Sequence, residues 1–307
     1  MSAFLEVRVA ALRDLTSAVR EVTFEPLNGR LPGFSAGSHV QVHLPGLRNA
    51  YSLLSDPADT RHYRIAVRRQ EQSRGGSHYV HDQLQVGQTL RLSPPANLFA
   101  LHGTAQLHIL VAGGIGITPF LAYCTELQRR GAEFELHYAY RTGVSDAYLP
   151  QLREQLGARL HTYDSVQRRL DPAQLFKNRP LGSHVYACGP QSLLLSLREQ
   201  ARLQGWPDDR VHWEAFTAPA AGQPFLVELA RSGRQLQVGA EQSLLEALEA
   251  CGVEVPNLCR GGVCGQCHTR YLKGTVEHRD HVLDATQHAD SLMPCVSRCA
   301  GPLLLDL

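Results

Sequence analysis

No uninterrupted apolar run in the 307-residue chain approaches the ~18–20 residues that a membrane-spanning helix requires. The first stretch is broken by Glu6, Arg8, Arg13 and Asp14, so it lacks the apolar core of a signal peptide. An excess of one charge is also missing. Lys and Arg number 30 against 29 Asp and Glu, a net charge of +1, which gives no reason to expect a nucleic-acid or anionic-membrane surface. There is no internal repeat and no low-complexity segment. Without secretory features, the eight cysteines argue against a disulfide framework and for metal or redox use of those that cluster. What remains is a globular chain expected in the cytoplasm. Its 43% hydrophobic and 19% charged residues are ordinary, and its length calls for two or three domains.

The texture changes twice along the chain. From Phe4 to about Pro95, "FLEVRV", "VREVTFEP", "HVQVHLPG" and "YRIAVRRQ" alternate with period two between Gly, Pro and Asn turns, which predicts an antiparallel β-barrel or sandwich. From Leu107, "LHILVA" is a continuous apolar run followed by a Gly-rich turn and a helix predicted over 119–130. "FELHYAYR", "SHVYACGP" and "QSLLLSLREQARLQG" continue the alternation of strand and helix, which is α/β texture with a parallel sheet. "TAPAAGQ" reads as a joint. Beyond it, two alternating strands and a helix over 243–251, with Leu244, Leu245 and Leu248 on its stripe, complete an α+β segment. The expected division is 1–102, 103–217, a linker at 218–223, and 224–307.

The last segment contains "CRGGVCGQC". The full pattern is Cys259-x4-Cys264-x2-Cys267, then 27 residues, then Cys295. This is the spacing of a plant-type 2Fe–2S ferredoxin, whose cluster takes four thiolates. Gly261, Gly262 and Gly265 are expected to supply the positive-φ turns that point amides inward at the sulfurs. A four-cysteine zinc site is the alternative, but zinc usually takes two C-x2-C knuckles from separate hairpins. Cys299 competes with Cys295 as fourth ligand; "PCVSRC" resembles the ferredoxin ending at its first cysteine. Cys124 and Cys251 fall on apolar helical stripes and read as packing residues.

Gly113, Gly114 and Gly116 lie between a buried strand and a helix, with Thr118 expected as N-cap and Pro119 as the first helical residue. Backbone amides at such a helix start suit a diphosphate, although the turn is not G-x-G-x-x-G. Among the histidines, His39 and His43 are about 13 Å apart along a strand, too far to share one ion. His212 and Glu214 form H-x-E without the P-C-x-x-C of a zinc deaminase.

"RNAYSLLS", "GGIGITP" and "CGP", in this order and followed by the cysteine loop, resemble the phthalate dioxygenase reductase family, within the ferredoxin–NADP reductase superfamily. The resemblance covers essentially the whole chain. It implies a β-barrel flavin domain, an α/β nucleotide-binding domain and a β-grasp ferredoxin. Tyr51 and Ser52 would border the flavin ring, with Ser52 near N5. Arg48 stands three residues before Tyr51 instead of the family's two, so Asn49 takes the expected position. Arg74, Gly75, Gly76 and Ser77 would form the flavin-phosphate loop, which implies FMN instead of FAD. Gly113, Gly114, Gly116, Thr118 and Pro119, with Cys188, Gly189 and Pro190, would border the nicotinamide nucleotide. Glu214 and Phe216 match the family's E-x-F beside the flavin and nicotinamide.

Arg141 after one strand favours NADPH on a naive reading. Asp164 after the next would repel a 2′-phosphate, and the family implies NADH. The implied route runs from NADH through FMN and the 2Fe–2S cluster to a terminal Rieske-type non-haem iron oxygenase, with Ser52, Cys188, Glu214 and Phe216 at the hydride-transfer site. A haem-thiolate monooxygenase or a quinone is the alternative acceptor, and a non-catalytic iron–sulfur or zinc module is the rival of a different class. A monomer is expected. Arg260, Arg270 and Lys273, flanking the cysteine loop, suggest a basic rim for the partner.

Overall fold

The computed structural model describes residues 4–71, 75–216 and 221–307. Arg74 and residues 218–220 of the expected linker lie outside these. The chain divides into two compact units, residues 1–216 and 217–307.

The first unit opens with seven antiparallel strands: β1 (Leu5–Thr16), β2 (Val19–Pro26), β3 (Ser38–Leu44), β4 (Leu47–Ser52), β5 (Tyr63–Arg68), β6 (Thr89–Leu92) and β7 (Ala96–Asn97), with helix α1 (Gly76–Asp82) between β5 and β6. The strand order is β4-β3-β6-β1-β2-β5, with β7 added against β3. Just past β4, the Leu54 amide donates to the Arg64 carbonyl on β5 at 3.0 Å, joining the two ends of that path. The period-two pattern has its expected cause: Val7, Val9, Val22, Phe24, Val40, Val42, Ile65 and Val67 face inward and are essentially inaccessible.

The second half of this unit is a five-stranded sheet in the order β10-β9-β8-β11-β12, parallel throughout. Its strands are β8 (Leu107–Gly113), β9 (Phe134–Tyr140), β10 (Leu160–Asp164), β11 (Ser183–Cys188) and β12 (Val211–Glu214). Helices α2 (Thr118–Arg130), α3 (Leu149–Leu156), α4 (Pro172–Leu175) and α5 (Gln191–Leu203) cover its faces, which is why β8 reads as an apolar run and β11 is buried along its whole length. The chain winds from β8 outward to β10 and then returns to place β11 on the other side of β8. The carboxyl ends of β8 and β11 therefore flank a topological switch point, the place where open α/β sheets bind ligands.

The two sheets of this unit share one core. Val19, Ala36, Leu54, Ala66 and Phe99 from the first pack with Phe120, Tyr123, Tyr138 and Tyr148 from the second. Tyr148 donates to Glu21 Oε2 at 2.8 Å across that junction, where both side chains are buried.

The second unit contains β13 (Phe225–Leu229), β14 (Gln235–Val238), α6 (Leu244–Ala250), β15 (Thr269–Lys273), β16 (Val276–Glu277), β17 (Ser291–Leu292), β18 (Arg298–Cys299) and β19 (Leu303–Leu305). The main sheet runs β14-β13-β19-β15-β17, and β16 pairs with β18. Ser243 caps α6 in a full capping box with Glu246, fixing the helix whose Leu244, Leu245 and Leu248 fill the core.

Candidate functional site

The four ligand-candidate cysteines approach as two pairs. Cys267 and Cys295 are buried, with their Sγ atoms 3.3 Å apart. Cys259 and Cys264 are half-buried, and the Gly261 amide points at Cys259 Sγ from 3.4 Å. The hydrogen bond from the Cys259 thiol, helped by the amides of Cys259 and Gln266, holds Cys264 down to about 6. The hydrogen bond from the Cys295 thiol lowers Cys267 below an ordinary thiol, so each pair favours one thiolate, the form that binds iron. Cys299 takes no part: it is 4% exposed and its Sγ faces the Pro302 carbonyl at 3.8 Å. Cys124 is buried as packing, and Cys251 lies half-buried at the edge of the second unit's core.

Two expectations for this loop need correction. Gly262 and Gly265 adopt positive φ, at 73° and 76°, but Gly261 does not; the left-handed residue beside it is Arg260, at 53°. That conformation turns the Arg260 side chain inward, where it grips both carboxylate oxygens of Glu249 on α6 at 2.7 and 2.9 Å. Arg260 is 8% exposed and is therefore not part of a basic rim. Removing either partner would strand a buried charge, at a cost of about 3–5 kcal/mol. Arg270 lies 3.4 Å from Asp290, and Lys273 is exposed.

In the first unit, β4 pairs with β3 so that Arg48 faces His43 and Asn49 faces Val42. Alternation puts Asn49 and Tyr51 on one side and Arg48 on the other. Asn49 Nδ2 donates to the Tyr51 hydroxyl at 3.2 Å and also lies over Gly76, where an added Cβ would come within 2.1 Å of it. Gly75, at φ 110°, turns the chain into α1, and Ser77 Oγ accepts from the Gln70 amide at 3.2 Å. Burial pushes the Tyr51 phenol up, so it stays neutral.

The switch-point crevice is a contact of backbone on backbone. A Cβ at Gly116 would meet the Cys188 carbonyl oxygen at 2.2 Å and its carbon at 2.5 Å; one at Gly189 would meet Gly113 Cα at 2.9 Å. Pro190 Cδ would lie 2.7 Å from a Cβ at Gly113. The "GGIGITP" and "CGP" segments thus form one surface, on which Gly113, Gly116 and Gly189 leave no room for a larger residue. The expected cap is corrected here. Residues 114–117 make a tight 3₁₀ turn first, α2 begins at Thr118, and Thr118 Oγ1 donates back to the Ile115 carbonyl at 3.0 Å. Pro119 consequently occupies the second helical position.

The two motif regions of this unit meet at Ser52. It is 4% exposed, and its Oγ donates to Glu214 Oε2 on β12 at 3.5 Å. Glu214 pairs in register with Cys188. Burial and the Glu214 carboxylate push the Cys188 thiol far up, so it is a neutral, fully buried group. Phe216, two residues on, is not the core residue a strand end suggests; it is 40% exposed. At the sheet's outer edge, Tyr140 and Asp164 are register partners on β9 and β10. The Asp164 carboxylate accepts from Thr142 Oγ1 at 2.6 Å and from the Val166 amide at 3.1 Å. Those bonds, with Arg141 nearby, keep it below the usual carboxylate range and ionised at neutral pH.

Comparison with known proteins agrees with this arrangement. Residues 227–300 match the 2Fe-2S iron-sulfur cluster binding domain, and residues 88–211 match the N-terminal domain of dimethylamine monooxygenase subunit DmmA-like proteins. The heme-dependent oxidative N-demethylase beta subunit of Ectopseudomonas mendocina is 72% identical over the full length of both chains. The carnitine monooxygenase reductase subunit of Escherichia coli K12 is 41% identical over 98% of each. A solved phthalate dioxygenase reductase superposes with a TM-score of 0.90 at 34% identity, covering 99% of this chain and 98% of its own. The chain belongs to the phthalate dioxygenase reductase family. It is a reductase, the electron-transfer component of an oxygenase system, and its second unit carries the 2Fe–2S domain. No helix among the described residues of this reductase is long and apolar enough to cross a membrane.

Proposed function

We propose that the reductase passes electrons from NADH through FMN and its 2Fe–2S cluster to a haem-dependent oxygenase that demethylates an N-methyl amine. The observation that carries the site assignment is convergence. Ser52 reaches Glu214 across the first unit, and Gly116 lies against the Cys188 carbonyl, so three motifs distant in sequence share one crevice. In this reading residues 1–102 hold FMN, 103–217 hold NADH, 218–223 link, and 224–307 hold the cluster.

The residues present fit these groups. Asn49, held beside Tyr51, packs so closely on Gly76 that a Cβ there would come within 2.1 Å of Nδ2, so the turn into α1 presents bare backbone to the group it would hold. Four sulfurs in two close pairs suit a four-thiolate cluster. When bound, FMN supplies the conversion of a two-electron hydride into single electrons that a cluster can accept.

The chain's own residues do the positioning. Tyr51 would offer a flat apolar face to the flavin, and Ser52, whose Oγ donates to Glu214, would offer it a hydroxyl; Phe216 is exposed two residues beyond Glu214. The amides of Gly113–Gly116 and the start of α2 would hold the diphosphate. Hydride transfer needs no general base, and Cys188, kept neutral, supplies none.

Asp164 bears on nucleotide choice, because its ionised carboxylate accepts ribose hydroxyls and repels a 2′-phosphate. Asp164→Ala is expected to lower kcat/KM for NADH about tenfold and raise that for NADPH, which steady-state flavin reduction with both nucleotides measures.

The acceptor follows the 72% relative, whose name specifies haem. A Rieske-type oxygenase is the second reading, carried by the likeness to phthalate dioxygenase reductase. A monomeric state and a cytoplasmic location belong to the same proposal. Anaerobic stopped-flow mixing of NADH-reduced reductase with each purified oxygenase separates the two acceptors. Haem reduction at least about tenfold faster than Rieske-centre reduction is expected, and the reverse order selects the second reading.

A further inference from the structure

We propose that His278, Asp280 and His288, behind the cysteine loop, form a divalent-cation site of the zinc type. His278 and Asp280 are two apart on the extended chain leaving β16, so both point to one side, while Arg279 between them turns to Glu277 at 2.8 Å. His288 comes from the 3₁₀ turn at Gln287–Ala289. That turn is built before any ion arrives. Asp284 Oδ1 accepts from the Thr286 and Gln287 amides at 2.9 Å each, the His288 amide donates to the Asp284 carbonyl at 3.0 Å, and Tyr271 on β15 donates to the His288 carbonyl at 2.8 Å.

One ligand atom from each residue lies within 4.8 Å of those of the other two. The rings of His278 and His288 stack at 3.8 Å. Asp280 Oδ1 is 3.7 Å from His288 Nε2, too long for a hydrogen bond but near the about 3.3 Å that separates two ligands on a tetrahedral zinc. His278 Nδ1, Asp280 Oδ1 and His288 Nε2 are all shielded from solvent and hydrogen-bond to nothing. The Asp280 side chain is 0% exposed, and its other oxygen is already spent on the Val282 and Leu283 amides, which aims Oδ1 at the histidines. Three residues whose ligand atoms gather within 4.8 Å, each with an unpartnered buried polar atom, are the mark of a missing ligand. Two imidazoles and a carboxylate suit zinc.

A second cluster shows the contrast. Glu135, His137 and His161 are also close, but Arg179 holds Glu135 at 2.8 Å, and both His137 nitrogens are taken, by Glu135 at 2.8 Å and Tyr163 at 2.9 Å. Those groups satisfy one another and leave nothing for an ion.

The site has a place in the fold. The His281 amide donates to the Gly262 carbonyl at 2.9 Å, and Asp280 Cα would lie 3.2 Å from a Cβ at Gly262. The ion would therefore pin the segment that covers the cysteine loop.

The test uses the full-length holoprotein, equilibrated with zinc, desalted, and assayed for zinc and iron by mass spectrometry, with zinc K-edge absorption to identify the ligands. Expected are one zinc per chain with nitrogen and oxygen neighbours at about 2.0–2.1 Å, and a tenfold or greater loss of retained zinc in both Asp280→Asn and His288→Ala. Iron content is to stay unchanged in Asp280→Asn, which keeps the side chain's size, and His161→Ala is to retain zinc. No zinc in the wild-type protein, zinc insensitive to both substitutions, or sulfur neighbours at about 2.3 Å marking zinc in the cysteine loop would each overturn the proposal.

Discussion

Cys267→Ser is expected to leave the reductase without its cluster and to cut oxygenase reduction by at least about a thousandfold, while NADH still reduces the flavin. The reasons are local. Cys267 is 3% exposed, lies 3.3 Å from Cys295, and belongs to the apolar core of the second unit, so no neighbouring ligand can replace it. Cys299 is turned to Pro302. A serine there places a hydroxyl where a thiolate should bind iron, and without iron that hydroxyl is a buried polar group costing about 1–3 kcal/mol. Iron content, the visible spectrum and single-turnover flavin reduction, measured on one sample, separate these effects. Cys299→Ser is the control, with iron expected to remain. Iron retained in Cys295→Ser but lost in Cys299→Ser would reassign the fourth ligand.

Gly116→Ala is the second large effect. Its methyl would fall 2.2 Å from the Cys188 oxygen, 2.5 Å from the Cys188 carbon and 2.8 Å from the Gly189 amide nitrogen. All three are backbone atoms at the ends of packed strands, so no rotamer relieves the clash and the switch-point crevice must open. The expected result is a loss of about a hundredfold in kcat/KM for NADH, close to 2.7 kcal/mol of transition-state stabilisation, with FMN and iron contents unchanged. Gly76→Ala offers the opposite profile. Its clash is with Asn49 Nδ2, a side chain that can swing away, and the damage should appear as weakened flavin retention with nucleotide binding spared. Equal losses of flavin in both variants would contradict the separate assignment of the two regions.

Much of this was readable from residue order alone. The period-two segments became the antiparallel sheet, the apolar run "LHILVA" became β8, "SHVYAC" became β11, and the cysteine spacing led to four residues that approach in pairs. Asn49, the residue at the family position, is the one beside Tyr51 and Gly76. These features follow from short-range periodicity or from spacing within one loop.

What escaped depends on how the chain turns and on contacts outside any one periodic segment. Arg260 reads as a surface cation until Glu249, on the helix before the loop, claims it. Thr118 has the chemistry of a cap, but the 3₁₀ turn before it runs directly into the helix, so Thr118 is already helical and its hydroxyl donates back to Ile115. The common core of the two sheets in the first unit rests on contacts such as Tyr148 with Glu21, which no local pattern announces. The His278, Asp280 and His288 cluster was hidden for the same reason, because a turn capped by Asp284 folds the third residue back on the other two. The acceptor is legible in none of these residues. The relatives that match over nearly the whole chain belong to different oxygenase systems, from an oxidative N-demethylase to carnitine monooxygenase and vanillate O-demethylase.

Anaerobic titration of the purified reductase with NADH, followed by visible absorbance, is the most direct test of the electron path. The flavin bands should bleach together with the iron–sulfur bands, and the total uptake should equal three electrons per chain, two on FMN and one on the cluster. A protein whose iron–sulfur bands persist after the flavin is fully reduced, or one that NADPH reduces and NADH does not, would contradict it.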